Sequence, residues 1–170
     1  MRRNAAPSLH VPEPEIDVSS PPDHRRPTLT VLGFDYGGKR IGVAVGNTFT
    51  GDARALSIVG NGENGVDWPR VDAIMRDWRP NMLLVGLPLM LDGSEQANSR
   101  TARAFAAELT QRYQLEAHLV DERLSSVEAS QRFADRRANG QARRKNAAEL
   151  DAIAAQIIIE TWLRQTPAEK

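Results

Sequence analysis

Residues 32–45 of this chain read LGFDYGGKRIGVAV. The apolar runs on both sides predict two β-strands, and the pair Gly37-Gly38 predicts a tight hairpin turn between them. Asp35 stands at the mouth of the first strand. A carboxylate at the end of a buried strand has to be neutralised, hydrogen-bonded or bound to a cation. The stretch therefore predicts a hairpin whose acid holds a metal ion or receives a phosphate.

The composition excludes several classes of protein. The 170 residues suit one domain with a hydrophobic core. The net charge of zero gives no global basic field for nucleic acid, although a local basic strip is enough for an enzyme. The chain has no cysteine and three histidines, two of them in a Pro-rich N-terminal segment, so thiolate chemistry is excluded and neither a zinc site nor a Ser-His-Asp triad is expected. No apolar run approaches the roughly 20 residues that span a bilayer, and no secretory signal is recognisable, so we expect a cytoplasmic protein with no membrane contact.

The distribution of apolar residues predicts the domain organisation. Residues 1–28 hold six of the ten prolines and almost no large apolar side chains, which predicts a disordered tail. We expect one domain over residues 29–165 and a short C-terminal tail at 166–170. Its patterns predict three consecutive strands, then helix, strand, helix and strand, at 30–35, 40–46, 53–59, 66–78, 82–86, 94–113 and 117–120. Helices follow, one capped by Ser125 or Ser126 and the last at 146–163. The expected class is therefore α/β, with a mixed central sheet in which an antiparallel meander is followed by parallel strands, and with helices on both faces.

Three acids stand at positions that favour a shared site. Asp35 ends the first strand, Glu122 follows the last strand, and Asp151 lies in the first turns of a last helix whose small residues allow close approach to the sheet. Carboxylates packed together repel each other unless cations join them. Oxygen ligands without histidine or cysteine favour Mg²⁺ or Mn²⁺, and two such ions about 3.5–4 Å apart can activate a water for attack on a phosphodiester.

Each acid also has a structural interpretation. Asp35 could accept backbone hydrogen bonds in the hairpin turn. Glu122 could pair with Arg123 or Arg40 at the surface, and Asp151 could favour the helix macrodipole. The combination of the three acids in this topology favours a catalytic site.

Four segments resemble the YqgF (RuvX) family. They are 34–46, 85–88 with 92–94, 121–125 and 150–155, and together they cover about residues 29–163 in the family's order. The resemblance implies a compact RuvC-like, ribonuclease-H-type fold and a nuclease role in maturing the 5′ end of the 16S rRNA precursor, with Holliday junction resolution as an older proposal. The family's three acidic positions fall on Asp35, Glu122 and Asp151, as catalytic residues and metal ligands. Gly38 stands where Thr is common, and Ala152 where Ser often follows the last acid; neither departure removes a carboxylate.

A polyanionic substrate requires basic groups beside the acids. The strongest local charge excess lies at residues 132–145, from which we select Arg143, Arg144 and Lys145 as candidate phosphate contacts; a solvated polar loop is the alternative. Lys39 and Arg40 follow Asp35, and Arg123 follows Glu122, so these three are candidates nearer the metal. The expected partners are precursor rRNA or branched DNA, with a pre-ribosomal particle as a further partner, and the chain is expected to be a monomer or a homodimer.

Two other functions compete with the nuclease. Sugar kinases and actin-like ATPases also place an Asp-x-Gly turn between two strands, but their clefts need two such lobes and this chain has no second one. A non-catalytic RNA-binding assembly factor would gain affinity by losing the three acids, which this chain retains. The choice between RNA and DNA remains open, because the acid–metal chemistry serves both.

Overall fold

The computed structural model describes residues 27–125, 131, 134–135 and 144–166. Its elements, in chain order, are β1 (Thr30–Tyr36), β2 (Arg40–Asn47), β3 (Ala53–Gly62), β4 (Gly65–Val66), α1 (Trp68–Trp78), β5 (Met82–Leu87), α2 (Ala97–Tyr113), β6 (Ala117–Asp121), a 3₁₀ turn (Glu122–Leu124) and α3 (Arg144–Gln165). Within this part of the chain, no helix is both long and apolar enough to cross a membrane. Nearly all of the predicted tail at residues 1–28 and of the C-terminal tail lies outside the described residues.

The six strands form one mixed sheet in the order β4-β3-β2-β1-β5-β6. β1, β2 and β3 pair in antiparallel fashion, whereas β5 joins β1, and β6 joins β5, in parallel. The predicted antiparallel meander followed by parallel strands is therefore confirmed, and with it the strand arrangement expected of a ribonuclease-H-type fold. Because the carboxyl ends of β1, β5 and β6 meet at one edge, the residues that follow them are brought together there.

Helices cover both faces of this sheet. Side chains alternate along each strand, so that one face presents large residues such as Leu32 and Phe34, which pack with α1 and α2 in one hydrophobic core. The opposite face presents smaller residues, and the core there is completed by Ala155, Ile158 and Ile159 of α3. Asp35 lies two residues beyond Gly33 on β1 and therefore faces α3.

Glycines on that face let α3 lie directly on the strands. A Cβ at Gly42 of β2 would collide with the carbonyl oxygen of Asp151, and one at Gly33 of β1 would lie 2.6 Å from Cγ1 of Ile159. Gly42 is also the cross-strand partner of Asp35. The helix backbone at Asp151 is thus seated on the residue beside Asp35, which explains how residues more than 100 positions apart meet.

The predicted helix starts at residues 66 and 94 are too early. Val66 instead pairs with Asn61 in the β3–β4 hairpin, and Asp67 caps α1 by accepting a hydrogen bond from the Arg70 amide. Ser94 donates its amide and its hydroxyl to the Asp92 carboxylate, which closes a turn before α2 begins at Ala97. In both places, residues that the apolar periodicity assigned to a helix lie in a local turn or hairpin.

Candidate active site

Asp35 is the penultimate residue of β1 and is largely enclosed between the sheet and α3. Burial raises the pKa of its carboxyl group to about 6, and the negative charge of Asp151 adds to the effect. The alternative of a turn residue is not what the structure shows, because the Gly37 amide of the hairpin donates to the Arg40 carbonyl oxygen at 3.0 Å. Asp35 is therefore a half-buried acid in need of a positive partner.

Glu122 reaches the same region from the end of β6. It opens the 3₁₀ turn, and a Cβ on Gly86 of β5 would collide with its Oε1 atom. Burial raises the pKa of Glu122 to about 7, and the negative charges of Asp35 and Asp121 contribute. Because β5 lies between β1 and β6, the missing side chain at Gly86 allows the carboxylate of Glu122 to extend toward Asp35.

Asp151 is the third acid, and it differs from the other two in having a cation beside it. Nε of Arg40 donates to Oδ2 of Asp151 at 2.8 Å, and the two side chains are 40% and 32% exposed. Arg40 opens β2, directly after the hairpin that carries Lys39. The ion pair thus closes one side of the acidic region.

A cavity of about 290 Å³ lies between the strand ends and α3. Asp35, Asp121 and Glu122 provide its acidic wall, and Ile157, Ile158 and Thr161 are among the residues of α3 that line it. Its chemistry is a patch of carboxylate oxygens facing an apolar helix. Asp151 is not among the lining residues, so it stands beside this cavity.

The donor set fits a hard divalent cation. Asp35 and Glu122 offer only oxygen ligands, and the raised pKa of both acids expresses the cost of ionising them without a counter-ion, which a bound cation would supply. Within the described residues, however, no three acidic or histidine side chains stand together in a group able to hold a metal ion. Since Asp151 is bound by Arg40, the pair Asp35 and Glu122 forms the core of the candidate centre.

The structure places the predicted basic residues differently: some pair with an acid, one is exposed, and some lie at or before the start of α3. Lys39 is exposed on the hairpin and makes no ion pair within the described residues, whereas Arg40 holds Asp151. Arg123 chelates Asp121, with 2.7 Å between Nη2 and Oδ2, so the alternative in which Glu122 pairs with Arg123 or Arg40 is not observed. Arg143 lies outside the described residues. Arg144 and Lys145 begin α3.

Asn61 is a functional candidate that sequence reasoning missed. It is 5% exposed, and its side-chain amide donates to the Gly37 carbonyl oxygen at 2.7 Å while its backbone amide donates to that of Lys39 at 2.9 Å. Both bonds hold the hairpin between Asp35 and Arg40 from the end of β3. A polar residue at the end of a predicted strand suggests an ordinary turn, so its sequence context contains no signal of this role.

Comparisons with known proteins place the chain among relatives of known family. The family model described as RuvX: Holliday junction resolvase matches residues 29–165. A relative from Xanthomonas campestris pv. campestris (strain B100) is 52% identical over 138 residues, which are 81% of this chain and 89% of the relative. One from Xanthomonas axonopodis pv. citri is 51% identical over the same shares, and both are named "Putative pre-16S rRNA nuclease". Among solved structures, Thermus thermophilus RuvC in complex with Holliday junction substrate is similar with a TM-score of 0.47 and 16% identity, over 83% of this chain and 98% of that one.

Proposed function

The chain belongs to the RuvX family, and from this membership we propose that it is a nuclease that hydrolyses phosphodiester bonds in 5′-end processing of the 16S rRNA precursor, using Mg²⁺ or Mn²⁺. The observation that carries the proposal is the pair of half-buried acids, Asp35 and Glu122, which face a cavity at the carboxyl ends of parallel strands. Relatives about half identical in sequence carry the name of a pre-16S rRNA nuclease. The proposed place of action is the cytoplasm, where precursor rRNA is available.

The chain's own residues would divide the work as follows. Asp35 and Glu122 would hold the divalent cation at the strand ends, and Asp151 would be a third ligand once its ion pair opens. When bound, the cation supplies positive charge for the phosphoryl oxygens and eases ionisation of the attacking water. Ile157 and Ile158 of α3 would provide an apolar wall to the cavity, and a less polar environment strengthens electrostatic interactions.

The substrate would be held from the hairpin side. Lys39 is exposed next to the acidic region and is available for a backbone phosphate. The basic segment that contains Arg143, Arg144 and Lys145 precedes or begins α3, the helix that carries Asp151. Contacts from these residues would offset phosphate charge without reading sequence.

Cleavage assays test the proposal directly. Purified protein is given a precursor fragment that spans the 5′ end of 16S rRNA, with Mn²⁺ or with EDTA, beside Asp35→Asn and the control Asp77→Asn, which changes an exposed acid of α1. We expect metal-dependent cutting by the wild type and Asp77→Asn, and none by Asp35→Asn. If Asp35→Asn and the wild type behave alike, any cutting comes from a contaminating nuclease or does not use these acids, and the non-catalytic assembly factor replaces the nuclease as the proposal.

Branched DNA is the second candidate substrate, because the matching family model is described as a Holliday junction resolvase. A four-way DNA junction therefore belongs in the same assay at equal concentration. Faster cutting of the junction than of the precursor fragment would replace rRNA processing by junction resolution and leave the assignment of the acids unchanged.

A further inference from the structure

We propose that Arg40 is an exchangeable counter-ion: it holds Asp151 while no metal is bound, and it turns to a substrate phosphate when a divalent cation takes Asp151. This inference rests on the proposed nuclease function and adds to it a coupling between cation binding and nucleic-acid binding. It explains why the three acids predicted to act together are not gathered in the structure, where one of them is held by an arginine.

The ion pair joins two residues at the edge of the site. Nε of Arg40 lies 2.8 Å from Oδ2 of Asp151, and the residues are 111 positions apart in sequence. The pair is therefore made by the tertiary structure and is not a local feature of the helix. Asp151 is also near enough to Asp35 for its charge to act on that carboxyl group. A cation bound by Asp35 would thus compete with Arg40 for Asp151.

The backbones on both sides of the pair are fixed, so the exchange needs only side-chain rotation. The carbonyl oxygen of Asp151 is seated on Gly42, where even a Cβ would collide. On the other side, Asn61 holds the hairpin at Gly37 and Lys39 through two hydrogen bonds. Rotation about side-chain bonds is fast and needs no change of fold.

Solvent exposure makes the pair weak enough to open. With side chains 40% and 32% exposed, the charges are well screened, and exposed ion pairs contribute little net stability. A divalent cation carries twice the charge of Arg40 and prefers carboxylate oxygens. The balance of charge therefore favours the cation at Asp151 and frees the guanidinium group.

The freed guanidinium group has a defined use. Its planar set of N–H donors matches the oxygens of a phosphate, and it would lie beside Lys39 on the same hairpin. Cation binding would then create a phosphate contact, and by linkage a bound nucleic acid would strengthen cation binding by the same factor. The site would assemble fully only when both are present.

Cation affinity without substrate is the first test, measured by titration calorimetry with Mn²⁺ on wild type, Arg40→Gln and Lys39→Gln. Both substitutions remove one positive charge from the hairpin, but only the first removes the competitor for Asp151. We expect Arg40→Gln to bind Mn²⁺ roughly two- to five-fold more tightly than Lys39→Gln, the size of effect that an exposed ion pair allows. Arg40→Lys, which keeps the charge, should lie close to the wild type, and thermal unfolding confirms that each variant is folded.

A double-mutant cycle isolates the pair. In an Asp151→Asn background, Arg40→Gln should no longer change Mn²⁺ affinity, because the contested ligand is absent. If Arg40→Gln and Lys39→Gln bind Mn²⁺ equally, or if the effect of Arg40→Gln persists with Asp151→Asn, the effect is one of general charge and the exchange is refuted. Absence of measurable Mn²⁺ binding by wild type and Arg40→Gln alike refutes both the exchange and the metal-dependent function.

The second test is the coupling itself, read from the anisotropy of a labelled, cleavage-resistant phosphorothioate RNA with and without Mn²⁺. Mn²⁺ should tighten RNA binding by the wild type, and Arg40→Gln should lose most of this gain, whereas Lys39→Gln should bind more weakly in both conditions and keep the gain. An equal gain in Arg40→Gln and wild type refutes the exchange. Cleavage by wild type distinguishes the two proposals: cutting without the Arg40 effects leaves the nuclease standing alone, and the Arg40 effects without cutting leave a cation-gated nucleic-acid-binding site.

Discussion

Replacing Asp35 by Asn should stabilise the metal-free protein at neutral pH while it abolishes activity. The pKa of Asp35 lies at about 6 against an ordinary value of 3.8. A rise of about 2 pKa units corresponds to about 3 kcal/mol of cost for the ionised form in the folded state. The amide of Asn removes this cost, so the free energy of unfolding should increase by about 1–3 kcal/mol at pH 8. The lower value applies if the Asn side chain leaves buried hydrogen-bonding groups without partners.

The stabilisation expected from Asp35→Asn depends on pH, and its direction follows from the raised pKa of Asp35. Because the folded-state pKa of Asp35 is raised, the folded protein retains a proton that the unfolded chain loses above about pH 4. The wild type therefore loses stability from this group as the pH rises from about 4 to about 6, with no further loss above that. Glu122, whose pKa is about 7, extends the loss to about pH 7. Asp35→Asn should match the wild type near pH 4 and become more stable than it by pH 8.

Urea unfolding followed by circular dichroism at pH 4, 6 and 8 in EDTA measures this difference. Subtracting the free energy of unfolding of the wild type from that of the variant cancels the contributions of carboxylates with lowered pKa, such as Asp72 and Asp121. The exposed Asp77→Asn serves as the matched control and should give a difference near zero at every pH. If the gain of Asp35→Asn over wild type is the same at pH 4 and pH 8, burial of a charged Asp35 is not the cause. Addition of Mn²⁺ should stabilise the wild type and reduce the gain.

Three further predictions follow from the site. Gly42→Ala should destabilise the protein by about 1–3 kcal/mol and abolish cleavage, because its Cβ would displace the backbone of α3 at Asp151. Gly38→Ala is the control and should do neither, because no atom lies within 4 Å of its Cβ. Thermal unfolding and cleavage assays compare the two variants. Asn61→Ala should lower the free energy of unfolding in urea by about 1–3 kcal/mol, because the Gly37 carbonyl oxygen loses the hydrogen bond from Asn61. It should also lower kcat more than it raises KM. Kinetics equal to those of the wild type would contradict a positioning role for Asn61. Replacing Arg143, Arg144 and Lys145 together by Ala should weaken RNA binding and flatten its dependence on salt concentration. Unchanged binding would reject the basic segment as the substrate contact.

Local pattern was sufficient to predict the main strands and helices and to select the acids as candidates. β1, β2 and β5, which carry most of the core, are continuous apolar runs, and such runs are typical of strands buried on both faces. Asp35 and Glu122 could be selected as candidates because each stands at the end of a predicted strand, and the ends of parallel strands lie at one edge in any sheet of this kind. The errors lay at the starts of α1 and α2, where side-chain hydrogen bonds close turns that periodicity does not register.

The relations between distant residues were decided by the tertiary structure alone. The sequence contains Gly33, Gly42 and Gly86, but only the packing of α3 and of the Glu122 carboxylate shows that these positions have to lack a Cβ. It contains Arg40 and Asp151, but their pairing depends on the helix crossing β2 at Gly42. Side-chain periodicity reports which face of an element is buried and does not report what lies against it. Which charge meets which in this site is therefore set by the fit of α3 on the sheet.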